Sequence, residues 1–258
     1  MNKIKPQTLK GFRDFLPNEA RKRQYVINIL KQVFESFGFE PLETPALEFA
    51  EVLKGKYGEE EKLIYEFKTK GEDSVALRFD QTVPLARVVA QYQNQLPMPF
   101  KRYQIQPVWR GENPQKGRYR EFLQCDIDTV GSSSPLADGE IIACTIKSLE
   151  NLGFKNFKVL INDRNNFAEI DPLAILTIDK LKKIGKEAVL EELKRKGLPT
   201  SSLTDVLNKK LTNRLKDIIE IVNDSRIVFD QTLARGLDYY TGMIFEVEIE
   251  GYKGGSVA

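Results

Sequence analysis

Hydrophobic and polar positions alternate most regularly on either side of residues 110–121. Before that stretch, Tyr103, Ile105, Pro107 and Trp109 share one face of an extended segment, leaving Gln104, Gln106 and Arg110 on the other. After it, Leu123, Cys125 and Ile127 alternate with Phe122, Gln124, Asp126 and Asp128. Gly111, Pro114 and Gly117 lie between the two segments, and each interrupts regular structure for a different physical reason. The pattern predicts an antiparallel hairpin with an apolar face, a polar face and a strongly basic tip. Such a polar face suits a small charged ligand, and such a tip suits a polyphosphate.

Elsewhere a helical period replaces the alternation. Tyr25, Val26, Ile29, Leu30, Val33, Phe34 and Phe37 predict a helix over 19–37, stopped by Gly38. Residues 39–45, with Pro41 and Pro45, read as a short extended piece at an edge or interface. Residues 55–62 read as a solvated loop. A strand is predicted over 73–79 and a helix over 82–95, so Asp80, Gln81 and Thr82 fall at a strand-to-helix junction, where free backbone N–H groups gather. A helix over 138–152 and a strand over 158–161 follow. Residues 171–224 are rich in lysine and glutamate, with helical periodicity and stops at Gly185 and at Gly197-Leu-Pro199. They read as a helical insertion subdomain that divides one α+β core into residues 1–170 and 225–258. Strands over 227–229 and 243–249 flank Leu233-Ala-Arg-Gly-Leu-Asp-Tyr-Tyr-Thr-Gly242.

Composition narrows the chemistry. The chain has no apolar run of the roughly 18 residues that a membrane span needs, and its N-terminus lacks the apolar core of a signal peptide. A cytoplasmic protein is expected, with Cys125 and Cys144 as buried, reduced thiols. A net charge of +2 is too small to indicate nucleic-acid binding by itself. The count of zero histidines excludes Ser-His-Asp catalysis, histidine general bases and histidine metal ligands. Carboxylates, arginines, lysines and tyrosines remain, which favours a reaction driven by positioning and charge neutralisation.

Two readings stay open for each candidate group. Arg110, Glu112, Arg118 and Arg120 form either a solvated hairpin tip or a phosphate clamp, with Phe122 as a platform for a purine. Asp80 is either a helix cap or a ligand group. Asp126 and Asp128 are either surface carboxylates or partners for a cationic amine, with Gln124 beside them. Arg235, Tyr239 and Tyr240 form either a turn with core aromatics or an anion site, because a buried arginine is costly without an anion.

At this point the motifs resemble a known family. Residues 100–128, containing Trp109-Arg-Gly-Glu-Asn-Pro-Gln-Lys-Gly-Arg-Tyr-Arg-Glu-Phe-Leu-Gln-Cys-Asp-Ile-Asp128, are similar to motif 2 of the class II aminoacyl-tRNA synthetases in its histidyl form. Leu233 to Tyr240 resembles the signature of the histidyl-tRNA synthetases, and Leu77 to Arg87 their amino-acid-binding strand and helix. Residues 11–17 and 37–45 resemble their entry segment and motif 1.

The resemblance implies a class II antiparallel sheet of about six strands flanked by helices, dimerising around Pro45. It implies ATP and L-histidine as substrates, Mg²⁺ on the phosphates and the acceptor end of a histidine tRNA as partner. By the same resemblance, Arg110 would hold the α-phosphate and the histidine carboxylate, Glu112 would face the adenine, Arg118 would meet the γ-phosphate and Phe122 would stack on the base. Asp80, Gln81, Thr82 and Gln124 would take the amino-acid head group. Asp128, Tyr239 and Tyr240 would read the imidazole, and Arg235 would stand beside the α-phosphate. Aspartate at 80 and 128, where many bacterial members carry glutamate, matches the archaeal and eukaryotic-like subtype. The expected motif 3 and anticodon-binding domain have no counterpart before Ala258, so the chain reads as a truncated catalytic fragment. The alternative is a non-catalytic relative, the regulatory subunit of ATP phosphoribosyltransferase.

Overall fold

The computed structural model describes residues 4–115, 117–234, 240–252 and 256–257. They form two compact units, Met1–Ser132 and Ser133–Ala258.

The first unit opens with α1 (Pro17–Ser36), where proline occupies the first turn and needs no N–H partner. Val33 and Phe34 are its buried residues. The chain continues through β1 (Glu40–Pro41), β2 (Leu47–Phe49), α2 (Ala50–Leu53), a 3₁₀ turn at Gly58–Leu63, β3 (Glu66–Lys68), β4 (Ser74–Leu77) and α3 (Thr82–Tyr92). The hairpin strands are β5 (Phe100–Trp109) and β6 (Glu121–Val130). β1 runs parallel to β5, which pairs antiparallel with β6, while β2, β4 and β3 form a separate antiparallel sheet.

The hairpin register places Arg102 opposite Asp128, Gln104 opposite Asp126, Gln106 opposite Gln124 and Val108 opposite Phe122. All eight side chains therefore share one face, as the alternation predicts. Burial runs against the simple expectation, however. Arg102, Gln104 and Val108 on this face are wholly buried, whereas Ile105 and Pro107 on the apolar face are only half-buried. Cys125, expected to be a buried thiol, is exposed on that apolar side, while Cys144 is buried as expected. Alternation says which residues share a face; the segments lying across the hairpin decide which face is covered. Here Gln81 and Thr44 lie over the polar one.

The second unit contains α4 (Pro135–Asn151), β7 (Phe157–Asp163), α5 (Pro172–Ile178), α6 (Leu181–Arg195), α7 (Ser201–Leu207), α8 (Asn213–Val222), β8 (Ile227–Phe229) and β9 (Met243–Ile249). Ser134, Asp171 and Thr212 cap α4, α5 and α8 by accepting backbone N–H bonds, as expected of N-cap hydroxyls and carboxylates. β7 is central, parallel to β8 and antiparallel to β9. One of its faces packs Phe157, Val159 and Ile161 with Ile142, Ile146, Leu215 and Ile218 of α4 and α8. The other packs Leu160, with Ile244, against Ala174, Ile175, Ile178, Val189, Leu193 and Leu203 of α5 to α7. The expected stop at Gly185 is a kink inside α6, where φ is 82° and ψ is 168°.

The strands of the described residues thus pair in three three-stranded sheets, including two parallel pairs. No helix among them is long and apolar enough to cross a membrane.

Candidate functional site

The strand-to-helix junction is built by its own side chains. The Val83 N–H donates to Asp80 Oδ1 at 3.1 Å, so this carboxylate satisfies a donor in the first turn of α3. The same oxygen accepts the Tyr57 hydroxyl at 3.0 Å. Asp80 is 1% exposed and Tyr57 also 1%, with the Tyr57 ring tilted on Phe79 at 4.6 Å. The expectation of a solvated loop over residues 55–62 fails at Tyr57, which is buried. A single aromatic in a run of lysine, glycine and glutamate carries no periodicity to reveal its burial.

Gln81 follows, wholly buried. Its Nε2 donates to the carbonyls of Gln106, at 2.9 Å, and Gln124, at 3.2 Å, on the two hairpin strands. These acceptors fix which end of the amide is nitrogen. Gln81 Oε1 is buried and has no hydrogen-bond donor among the described residues. Gln124 repeats the arrangement. Its Nε2 donates to both oxygens of Asp126, at 3.1 and 2.8 Å, and its Oε1 is likewise buried without a donor.

Arg102 supplies the counter-charge. Its guanidinium is completely buried, with Nη2 2.7 Å from Asp128 Oδ2 and Nη1 donating to Gln104 Oε1 at 3.2 Å. Burial raises the Asp126 carboxyl to about 7, with Asp128 and Asp80 pushing the same way against Arg102 and the Gln124 amide. Asp128 is also raised, first by burial and then by Asp80, against the pull of Arg102. Both carboxyls are half-buried on the hairpin face, not freely solvated surface groups.

A second arginine anchors the floor. Arg78 donates to the carbonyls of Pro107 at 2.8 Å and Thr44 at 2.7 Å, and to Gln106 Oε1 at 2.9 Å. It ties the segment before β2 to the hairpin.

Toward the tip, Arg110 lies between two rings, 4.5 Å from the Phe79 centroid and 5.3 Å from that of Phe122. Its Nε donates to the Phe79 carbonyl at 3.2 Å, which leaves the terminal nitrogens of the fork for other partners. Arg118 stands 3.5 Å from Glu112, and Arg120 donates to the Glu112 carbonyl at 2.9 Å. The tip is held from outside as well. Arg120 N–H donates to the Gly11 carbonyl at 2.8 Å, and Gly111 N–H to Leu63 at 2.7 Å. Gly11 has φ of +91°, and a Cβ there would lie 2.8 Å from Arg120 carbons and 2.9 Å from Pro114. Only glycine permits that approach.

Of the expected site residues, Asp80, Gln81, Gln124 and Asp128 converge around the polar hairpin face. Thr82 is half-buried at the start of α3. Arg110, Glu112, Arg118 and Phe122 lie along the hairpin toward its tip. Tyr240 packs partly buried against the core of the second unit. Arg235 and Tyr239 lie outside the described residues. Tyr57 and Arg102 join these residues without having been among the expected ones, and Gln104, expected only as a polar-face residue, bonds to Arg102. A signal for Arg102 existed, since it precedes Gln104 and Gln106 on the same alternation.

The comparisons with known proteins agree with these motifs. The family model described as Histidyl-tRNA synthetase matches residues 11–200. Histidine–tRNA ligase of Aeropyrum pernix is 44% identical over 98% of this chain and 67% of its own length. The crystal structure of histidyl-tRNA synthetase from Nostoc sp. PCC 7120 superposes with a TM-score of 0.82 at 33% identity, over 97% of this chain and 66% of that one. An ATP phosphoribosyltransferase regulatory subunit/histidyl-tRNA synthetase from Bacillus halodurans C superposes at 0.77 with 22% identity, a likeness of fold alone. The chain spans about two thirds of the length of the curated relatives it matches, 67% and 63% in two cases. Family model, identity and superposition converge on one conclusion: the chain belongs to the histidyl-tRNA synthetase family and has its class II α+β fold.

Proposed function

We propose that this chain carries the amino-acid-activating site of a histidine–tRNA ligase, joining L-histidine to ATP as histidyl-adenylate before transfer to the 3′ end of a histidine tRNA. The observation that carries the reading is the polarity of the hairpin face. Two buried amide oxygens without donors stand in the same network as three carboxylates, Asp80, Asp126 and Asp128. A buried acceptor without a donor costs free energy, so such a surface is complete only when a donor-rich, cationic group enters it. The α-ammonium and the imidazole of histidine are such groups.

The chemistry needs no general base. The histidine carboxylate is already ionised at neutral pH and attacks the α-phosphorus while pyrophosphate leaves. In-line placement and cations for the developing charge suffice. Arg110, with its fork free beyond Phe79 and Phe122, is assigned to that phosphate and the carboxylate, and Arg235 to the same phosphate. Phe122 is the stacking surface for adenine, Glu112 faces it, and Arg118 takes the γ-phosphate. Asp80, Gln81, Thr82 and Gln124 receive the head group; Asp128, Tyr239 and Tyr240 read the imidazole. Among the described residues no group of three or more acidic, cysteine or histidine side chains is placed to hold a metal ion. Mg²⁺ would enter with ATP, held chiefly by its phosphates. We further assign residues 171–224 as an insertion in a catalytic core of 1–170 and 225–258, the segment around Pro45 as a homodimer contact, and the cytoplasm as the site of action.

The test is histidine-dependent ATP–pyrophosphate exchange. Exchange is expected with histidine and not with other amino acids. Arg110→Ala and Arg235→Ala should each lower its rate about 10²–10³-fold without loss of fold. Histidine-independent behaviour, or near-wild-type exchange in both variants, overturns the assignment. A regulatory subunit would bind histidine without exchange.

A further inference from the structure

The two amides whose oxygens lack a donor are held in different ways. Gln81 is oriented by backbone carbonyls, which are present whatever the side chains are. Gln124 is oriented by a side chain, Asp126, two residues along the same strand face. An amide group can turn end for end at little intrinsic cost, because nitrogen and oxygen occupy similar space. Beside an ionised carboxylate the two orientations differ greatly: one makes two hydrogen bonds, the other sets oxygen against oxygen.

We propose that Asp126 is a positioning residue for the amino-acid site, which holds the Gln124 amide nitrogen and so keeps the Gln124 oxygen presented to the cationic group of the ligand. The inference rests on the reading of this face as the amino-acid site. The groups that face Asp126 fit the role. Asp128 on the same strand and Asp80 from the junction before α3 are the other carboxyl groups that act on it. Arg102 on the neighbouring strand offsets the charge from beneath, engaged with Asp128 and Gln104. Asparagine at 126 would keep the shape and abolish the preference, since its own amide can satisfy either orientation of Gln124.

The decisive experiment has two arms at pH 8, where the Asp126 carboxyl is ionised. In the ligand-free chain, the side-chain ¹⁵N–¹H₂ signals of Gln124 should be a single, exchange-protected pair. In Asp126→Asn they should shift and lose protection, with no fall in melting temperature. In the second arm, L-histidine is titrated calorimetrically. Its affinity should fall about ten- to hundredfold in Asp126→Asn, while ATP affinity holds and Asp126→Glu recovers part of the loss. Unchanged Gln124 signals, or unchanged histidine affinity in Asp126→Asn, would sink the proposal. Should wild-type chain fail to bind histidine, the proposed function fails, and the amide signals alone then decide whether Asp126 holds Gln124.

Discussion

The sheet β1–β5–β6 and the sheet β8–β7–β9 are both three-stranded, yet they bury opposite kinds of atoms. β7 and β9 place Val159, Ile161 and Val247 in an apolar layer with α4 and α8, all wholly excluded from water. Each buried aliphatic side chain contributes stability directly, about 1.5–3 kcal/mol. The hairpin instead buries Arg102, Gln104 and Gln81, whose removal from water is unfavourable unless each polar atom finds a partner. Most do; among the described residues, Arg102 Nε and the amide oxygens of Gln81 and Gln124 do not. One sheet is satisfied by its own side chains, and the other keeps buried polar atoms without partners among the described residues.

The sharpest way to break that comparison is to remove the counter-charge. Arg102→Met leaves Asp128 buried without its cation and should cost about 3–5 kcal/mol in urea unfolding. Adding Asp128→Leu in the same molecule should return most of that stability, because an apolar pair replaces the ion pair, while histidine binding stays abolished. In the other sheet, Ile161→Val should cost only about 0.5–1.5 kcal/mol and leave binding intact. If the double variant binds histidine as wild type does, the polar face is not the ligand site.

The next effect is on pH dependence. Asp126 has its carboxyl raised from 3.8 to about 7, and Asp128 is raised as well. A raised carboxyl binds its proton more tightly in the folded chain than in the unfolded one, so between about pH 4 and pH 7 folding takes up protons. Stability contributed by protonated Asp126 is then full below pH 4 and lost as pH rises through 7. Asp126→Asn should flatten this slope and raise the melting temperature at pH 8 while changing it little at pH 4. A variant whose melting profile parallels wild type from pH 4 to 8 would show that the carboxyl is not held protonated by its surroundings. The apolar sheet, with no titrating group in its core cluster, should give no such slope on substitution.

Much of this architecture was legible from local pattern. The strands Ile227–Phe229 and Met243–Ile249 lie where alternation put them, and the hairpin face shared by Gln104, Gln106, Gln124, Asp126 and Asp128 follows from period-two geometry. Gly185 and Gly38 mark real interruptions because positive φ is available there at no steric cost. What stayed hidden depends on contacts distant in sequence. No local rule says which residues of either face are covered, and Cys125, expected to be buried, is exposed. Arg102 could be read only as a polar residue in register; that it neutralises Asp128 required the strand pairing. The motifs supplied the family, and with it roles for Arg235 and Tyr239, but their geometry lies outside the described residues.

The smallest effect sharpens the comparison at its edge. Tyr57 belongs to neither sheet, yet its hydroxyl reaches Asp80 at 3.0 Å from a lysine- and glutamate-rich segment. The ring is buried against Phe79, the residue on which Arg110 also lies. Tyr57→Phe retains that packing and removes only the hydroxyl, so unfolding should change by about 1 kcal/mol, the ordinary worth of one hydrogen bond. The consequence for binding separates two roles. If Tyr57 only fills space, histidine affinity stays as it was. If its hydroxyl holds the Asp80 carboxylate toward the ligand, KM for histidine in pyrophosphate exchange should rise severalfold, with KM for ATP unchanged. Tyr57→Leu, which removes the ring as well, should in addition loosen Phe79 and raise KM for ATP through Arg110. A Tyr57→Phe variant that raises both constants equally would place the hydroxyl in general support of the junction and not in recognition of the amino acid.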